Sequence, residues 1–309
     1  MTRFSELATP TATRAYLERW GLHTKKSLGQ HFLIDDGVVG RIIKLAEVVP
    51  GDQIIEVGPG IGTLTLALLD QKATVNAIEK DQNLLKPLAN LCADKAGFSL
   101  IAADALDLSV FSDKLYPVVA EADSSRGSAP VKLVANLPYA VAATIVLLYF
   151  EKLPHLSSAT IMVQREVANR MAAQPGTKDY GAYTVKLQAL TEPVGSFLVA
   201  RTNFMPPPNV DSTVIRLDRL TQPLNATHYQ ATAVLADAAF YQRRKTIQNS
   251  MRAYFSESDK HASSGISLDQ EAVGRLLEQT GIDPRRRGET LRVKEFIELG
   301  NAAMTCIFQ

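Results

Sequence analysis

Residues 53–62 read Gln53-Ile54-Ile55-Glu56-Val57-Gly58-Pro59-Gly60-Ile61-Gly62, an apolar run that empties into three glycines and is followed by a helix-forming stretch, Thr63–Asp70. A strand, a glycine turn and a helix N-terminus make a ligand cradle at the carboxyl end of a first strand. Glycines there allow positive φ and let a ligand touch the main chain. A dinucleotide site uses Gly-x-Gly-x-x-Gly to seat a pyrophosphate on the helix dipole. Here the third glycine falls one residue early and Pro59 has no N–H. A cofactor without phosphate, such as S-adenosylmethionine, does not need the dinucleotide arrangement. On these residues alone, a strand-helix turn with no ligand remains the alternative.

Downstream, short β-rich runs alternate with helical patterns as far as Asp218. The expected strands are Gln53–Val57, Thr74–Ile78, Ser99–Ala102, Lys132–Ala135, Ala159–Val163, Ser196–Ala200 and Thr213–Leu217. Helices are expected at Thr63–Asp70, Gln82–Ala93, Val141–Phe150 and Glu166–Ala173. Such alternation predicts an α/β fold, a mostly parallel seven-stranded sheet of the Rossmann-like type covered on both faces. The last two strands flank Pro206-Pro207-Pro208 and read as an antiparallel hairpin at a sheet edge.

After Leu220 only helical patterns follow: Tyr229–Tyr241, Arg243–Tyr254, Leu268–Gln279 and Leu291–Ala302, with Ser267 and Gln270 spaced as a capping box. The expected organisation is therefore an N-terminal helical extension over 1–25, a cofactor-binding catalytic domain over 26–220 and a smaller C-terminal α-helical domain over 221–309. Within the extension Thr13–Trp20 reads as helix. Residues 121–130 and 256–265 read as polar surface loops.

Composition narrows the classes. The 309 residues carry 33 basic and 32 acidic side chains, so a nucleic-acid surface must be local rather than global. Two cysteines, Cys92 and Cys306, offer neither a disulfide framework nor metal-ligand spacing, and no metal is expected. The longest apolar stretch, Ala140–Phe150, is too short to span a membrane, which takes about 18 residues or more. No membrane association is expected, and the location expected is cytoplasmic.

Further strand ends extend the cradle. Glu79 closes the second strand and can accept both hydroxyls of a ribose. Asp104 follows the third and can accept an adenine amine, although a turn or cap role is open to it. The fourth runs into Asn136-Leu137-Pro138-Tyr139. That tetrapeptide suits methylation of a base's exocyclic amine. The amine lone pair is delocalised into the ring, so catalysis must favour the pyramidal nitrogen of the transition state. Acceptors aimed at its two N–H bonds do this. Asn136 offers a side-chain oxygen and Leu137 a carbonyl. Pro138 holds Leu137 extended, and Tyr139 offers a ring on which an extruded base can stack.

Five stretches together resemble the ribosomal small-subunit RNA adenine N6,N6-dimethyltransferases. They are Lys26-Ser27-Leu28-Gly29-Gln30-His31-Phe32-Leu33, Glu56-Val57-Gly58-Pro59-Gly60, Asn136-Leu137-Pro138-Tyr139, Gln164-Arg165-Glu166-Val167 and Phe204-Met205-Pro206-Pro207-Pro208-Asn209-Val210-Asp211-Ser212. The resemblance runs from about Lys25 through the helical tail. It implies dimethylation of two adjacent adenines near the 3′ end of small-subunit (16S) RNA, with a small-subunit precursor as partner. It implies S-adenosylmethionine contacts from His31, Leu33, Gly58, Gly60, Glu79, Asp104 and Asn136. His31 stands where this family often has Asn. Phe204 is implied to face the target adenine opposite Tyr139.

Cations near a helix start, Arg243, Arg244 and Lys245, can neutralise phosphates, as can Lys25 and Lys26. Arg285-Arg286-Arg287 is a second cluster. From Thr221 onward there are eleven basic and ten acidic residues, so a solvated helix face is the alternative for both clusters. A monomer is the expected state. Three rival readings are a large-subunit RNA methyltransferase, an NAD-dependent dehydrogenase and a non-catalytic ribosome-assembly factor. The dehydrogenase reading leaves Asn136–Tyr139 unexplained, and the intact Asn136 and Glu79 oppose the assembly-factor reading.

Overall fold

The computed structural model describes residues 3–24, 29–107, 131–257 and 267–307. Lys25, Lys26, the 121–130 loop and most of the 256–265 loop lie outside the described residues. The chain divides into two compact units, Met1–Ala168 with Pro193–Arg219, and Asn169–Glu192 with Leu220–Gln309.

The first unit opens with α1 (Pro10–Arg19), the short strand β1 (Phe32–Leu33) and α2 (Asp36–Leu45). Then come β2 (Gln53–Val57), α3 (Thr63–Asp70), β3 (Thr74–Glu79), α4 (Gln82–Leu91), β4 (Phe98–Ala102), β5 (Val131–Asn136), α5 (Ala142–Lys152) and β6 (Leu156–Gln164). Helix α6 (Arg165–Met171) carries the chain into the second unit, which holds α7 (Ala182–Gln188). Strand β7 (Thr191–Val199) leads back, followed by β8 (Phe204–Met205) and β9 (Ser212–Arg219).

Seven strands make one sheet in the order β4-β3-β2-β5-β6-β9-β7. The β2/β3, β3/β4, β2/β5 and β5/β6 pairs are parallel and β6/β9 is antiparallel. Strand β2 is central and its apolar residues Ile54, Ile55 and Val57 are buried, which explains a continuous rather than alternating apolar run. The order reverses between β2 and β5, and open α/β sheets bind ligands at the carboxyl ends of strands at such a switch. Register sets Val57 beside Ile78 and Glu79 beside Ala102. The glycine turn, Glu79 and Asp104 therefore leave the sheet at one edge.

Helix α3 buries every residue from Thr63 to Leu69, Thr63 and Thr65 among otherwise apolar side chains. Helix α2 went unread in the sequence. Its signals are local: Asp35 caps it by accepting the Val38 N–H at 2.8 Å, and Val38, Val39, Ile42 and Ile43 form its buried face.

Several expectations are corrected. The N-terminal segment belongs to the sheet unit, because Leu7 packs in a cluster with Phe32, Ile61, Leu66 and Leu84. The Phe4 and Ser5 N–H groups bind the Asp36 carboxylate at 3.0 and 2.8 Å. Residues 169–192 belong to the helical unit rather than to the 26–220 domain. Tyr180 supplies the reason: its hydroxyl donates to the Leu291 carbonyl at 2.8 Å and its ring is fully buried in that unit's core. The connection between β7 and β9 is more than a proline turn. It contains β8, which pairs antiparallel with β1, Leu33 opposite Phe204.

The helical unit continues with α8 (Ala226–Phe240), α9 (Ile247–Ser256), α10 (Gln270–Gln279) and α11 (Val293–Ile307). Its core gathers Leu235, Met251, Leu276, Phe296 and Leu299. Helix α9 starts at Ile247 behind a Thr246 cap, so Arg243–Lys245 form a turn rather than its first coil. Asp269, not Ser267, caps α10, accepting the Ala272 N–H at 2.6 Å. The helix begins too late for Ser267 to reach it. Among the described residues no helix is long and apolar enough to cross a membrane, and no cluster of metal-ligating side chains occurs.

Candidate active site

A cavity of about 570 Å³ opens at the carboxyl edge of the sheet. One end is built from the glycine turn and Glu79. Gly58, Gly60 and Gly62 take φ of +67°, +61° and +90°. Gly60 donates its N–H to Glu79 at 3.3 Å, and a side chain at Gly60 would crowd the Phe32 ring at 3.1 Å. Only glycine lets the turn settle against the strand-end carboxylate. The other Glu79 oxygen accepts the Asp81 N–H at 2.7 Å. Burial pushes the Glu79 pKa up, and these main-chain donors hold it back. Each oxygen keeps a second lone pair for a ligand hydroxyl.

Just ahead of the turn, Glu56 lines the same cavity while almost wholly buried. It accepts the Thr65 hydroxyl at 2.7 Å. Burial pushes its pKa up to about 8, the Thr65 bond opposes the rise, and the charge of Glu79 adds to it. Thr63, the first residue of α3, also lines the cavity. Its buried hydroxyl has no partner among the described residues. Sequence reasoning assigned neither residue a role. Glu56 hides as an acidic position in an apolar strand, and Thr63 as an ordinary helix start.

Asp104 lines the cavity as expected, but its oxygens are engaged. One accepts from Lys80 at 2.6 Å and the other from the Leu106 N–H at 3.1 Å. The Lys80 hydrogen bond lowers the Asp104 pKa and keeps it anionic. A ligand amine at Asp104 meets a carboxylate already shared with Lys80.

The opposite end of the cavity holds Asn136, Leu137, Pro138 and Tyr139. The Asn136 side-chain nitrogen donates to the His31 carbonyl at 3.2 Å. A carbonyl can only accept, so this contact decides which way the amide faces. The Asn136 side-chain oxygen and the Leu137 carbonyl receive no donor among the described residues. The Leu137 N–H is held by the Met162 carbonyl at 3.1 Å. Tyr139 shares a 2.6 Å hydrogen bond with Ser212, and burial raises its pKa. Its ring stacks on His31, centroids 5.7 Å apart at 24°. His31 Nδ1 lies 2.7 Å from the Pro206 carbonyl, so Nδ1 carries a proton. Leu33 also lines the cavity.

Phe204 is the correction here. Its ring is 2% exposed and packs in the core with Leu33, Val199 and Val214, away from the cavity lining. The β1/β8 ladder, invisible to local sequence patterns, turns it inward.

In the helical unit Arg243 is held by Glu289 at 2.9 Å and by the Thr177 carbonyl at 3.3 Å. Arg244 and Lys245 are exposed and have no partner among the described residues. In the second cluster Arg285 pairs with Asp283 at 3.0 Å, Arg286 with Glu295 at 2.5 Å, and Arg287 lies 3.9 Å from Glu289.

The sheet order, the glycine turn and the strand-end carboxylate define a Rossmann-like class I methyltransferase fold. Two solved structures share it: a dimethyladenosine transferase from Plasmodium falciparum (TM-score 0.68, 21% identity, covering 87% of this chain and 96% of that one) and the 23S rRNA methyltransferase ErmE (TM-score 0.61, 24% identity, 88% and 99%). The profile of the ribosomal RNA adenine dimethylase family matches residues 21–281, and the chain belongs to that family. It is 38% identical over 297 residues to ribosomal RNA small subunit methyltransferase A of Pelotomaculum thermopropionicum, covering 96% of this chain and 97% of that protein. The protein of the same name from Staphylococcus aureus is 37% identical, covering 95% and 94%.

Proposed function

We propose that this protein transfers methyl groups from S-adenosylmethionine to the N6 amines of two adjacent adenines near the 3′ end of small-subunit (16S) ribosomal RNA, two on each. The observation that carries the reading is the Asn136 amide. Its nitrogen is committed to the His31 carbonyl, so its oxygen, with the Leu137 carbonyl, is left for the two N–H bonds of an amine in the cavity.

The cavity suits the cofactor. Glu79 has lone pairs for ribose hydroxyls and Asp104 a carboxylate for an adenine amine. The orphan Thr63 hydroxyl sits at the N-terminal end of α3, where the helix dipole favours a carboxylate. Glu79 gives the cavity negative charge for a cationic ligand, and such a ligand favours ionisation of the neighbouring Glu56. When bound, the cofactor supplies a methyl group carried on a cationic sulfur.

The chain's own residues do the rest. Asn136 and Leu137 accept from the amine and favour its pyramidal form, drawing the lone pair out of the ring. Both acceptors are held before the substrate arrives, so little reorganisation is needed. Asn136 is neutral and does not compete with the amine for the cationic methyl donor. Pro138 stiffens the turn. Tyr139, anchored through Ser212, offers a stacking face to an adenine taken out of its stack. The methylated amine is acidic, and its proton can leave to water.

The helical unit is the RNA-contacting part in this reading, with Arg244 and Lys245 on phosphates and Lys25 and Lys26 joining them. The partner is a small-subunit precursor, met by a monomer in the cytoplasm. Mass spectrometry of small-subunit RNA from a strain lacking the protein tests the reading. The expected result is loss of two adjacent dimethyladenosines, restored by the wild-type protein and not by Asn136→Ala. Intact small-subunit modification, with loss confined to large-subunit RNA, would refute it.

A further inference from the structure

A second cavity of about 580 Å³ lies beside the first, and the methyl-transfer chemistry makes no use of it. Trp20, His23 and Thr24, just after α1, form one wall. Gln82, Asn83 and Lys86 of α4 form the other. The buried residues Phe32 and Leu84 line it as well, and they also line the first cavity, as do Gln30 and Asp81. The two walls are tied together: the Tyr16 hydroxyl donates to the Pro87 carbonyl at 2.7 Å. The Gln30 amide donates to Asp81 at 2.8 Å, which braces the partition between the two cavities.

The lining has the chemistry of a nucleotide seat. Trp20 supplies an indole ring, the side chain best suited to stacking a base. Its N–H has no partner among the described residues. Among the described residues the side-chain amides of Gln82 and Asn83 make no hydrogen bond either, nor does the His23 ring. Paired donors and acceptors of this kind read the edges of unpaired bases. The Lys86 ammonium is exposed and has no acid partner among the described residues, and it can meet a phosphate. Asp81, the one carboxylate in the lining among the described residues, is buried and already accepts from Gln30 and from the Asn83 N–H at 3.1 Å. A cavity of this size accommodates a small organic ligand.

We infer that this second cavity seats an unpaired nucleotide of the RNA substrate, outside the site that takes the adenine being methylated. The inference rests on the methyltransferase reading for the identity of the RNA. The shared residues Phe32 and Asp81 lie at the glycine-turn and Glu79 end of the first cavity, opposite Asn136–Tyr139, so the nucleotide seated here is a separate one from the target adenine. Trp20 stacks the seated base, Gln82 and Asn83 meet its edge, and Lys86 holds the phosphate. Contacts of this type position the strand for the reacting base rather than bind the cofactor.

Trp20 is the only tryptophan in the chain, so its emission reports on this cavity alone. The full-length protein is first saturated with S-adenosylhomocysteine, which occupies the cofactor end of the first cavity. It is then titrated with adenosine monophosphate and, separately, with a short single-stranded oligoribonucleotide. Saturable quenching of Trp20 is expected with both. Lys86→Ala should weaken both and lower the salt dependence of oligonucleotide binding by about one phosphate contact. The double variant Gln82→Ala/Asn83→Ala should raise KM for ribosomal particles and leave kcat and cofactor affinity unchanged. Unchanged Trp20 emission in a protein that still methylates RNA would overturn the inference. So would quenching that is identical in Lys86→Ala and in the double variant. Calorimetric titration of the same samples with S-adenosylhomocysteine reports on the cofactor site independently. A protein that fails there loses the methyltransferase reading, a result separable from failure of the second cavity.

Discussion

The cavity of the sheet unit and the cationic turns of the helical unit were both drawn from short stretches of sequence, and they fared differently. In the sheet unit, Gly58, Gly60, Glu79, Asp104, Asn136, Leu137, Pro138 and Tyr139 line one cavity, with His31 and Leu33 beside them. In the helical unit, four of the six arginines and lysines of the two clusters have acids within reach, and only Arg244 and Lys245 are left unpaired among the described residues. Strand-end residues are placed by main-chain topology, which a local pattern reveals. A cation's availability depends on which acids fold back onto it, and Glu289, the partner of Arg243, lies 46 residues further along the chain.

The contrast breaks most visibly at Asn136. Asn136→Ala should lower the methylation rate by roughly 10²–10³, the usual effect of removing one preorganised hydrogen-bonding group from a transition state. Cofactor affinity measured by calorimetry should change far less. Equal losses in rate and affinity would move Asn136 from catalysis to cofactor holding.

Glu56 sharpens the same side of the comparison through pH. Burial raises its pKa from an ordinary 4.5 to about 8 in the folded protein. The folded state therefore holds this proton to higher pH than the unfolded chain does. The contribution to stability is complete below about 4.5 and is lost as pH rises through about 8, a change on the order of a few kcal/mol. Thermal melts of ligand-free wild type between pH 5 and 9 should fall relative to Glu56→Gln, which can still accept from Thr65. Parallel curves would show that Glu56 is already ionised in the folded protein. A cationic ligand favours the ionised form, so S-adenosylmethionine should bind more tightly as pH rises across the same window.

On the other side, Arg244→Ala should weaken binding to small ribosomal particles and lower the salt slope by about one, leaving cofactor affinity unchanged. Indifference would make this turn an ordinary solvated surface. The smallest effect belongs to Arg285, exposed and paired with Asp283 two residues away. Arg285→Ala should alter neither particle binding nor the salt slope, and a clear loss of either would erase the distinction between paired and unpaired cations.

Much of this architecture was legible because its signals are local. Ile54, Ile55 and Val57 are apolar since their strand is buried inside the sheet, and Gly60 and Gly62 need φ that other residues avoid. Helix α3 was read at its observed ends, Thr63 and Asp70. What escaped depends on partners far along the chain. The β1/β8 ladder joins residues 32–33 to 204–205 and turns Phe204 into the core. The 169–192 excursion joins the helical unit through Tyr180 and the Leu291 carbonyl, 111 residues apart. Asp104 looked free in sequence because its Lys80 partner sits 24 residues earlier. The second cavity was equally hidden, since Trp20 and Lys86 share no motif.

The most direct measurement is methyl transfer by the purified protein. Small ribosomal particles lacking the modification are incubated with S-adenosylmethionine bearing deuterated methyls, and the RNA is digested and analysed by mass spectrometry. Two adjacent adenosines, each carrying two deuterated methyls on N6, are the predicted products, with the yield abolished in Asn136→Ala. Label on the large particle only, label on another atom, or full activity in Asn136→Ala would contradict the account.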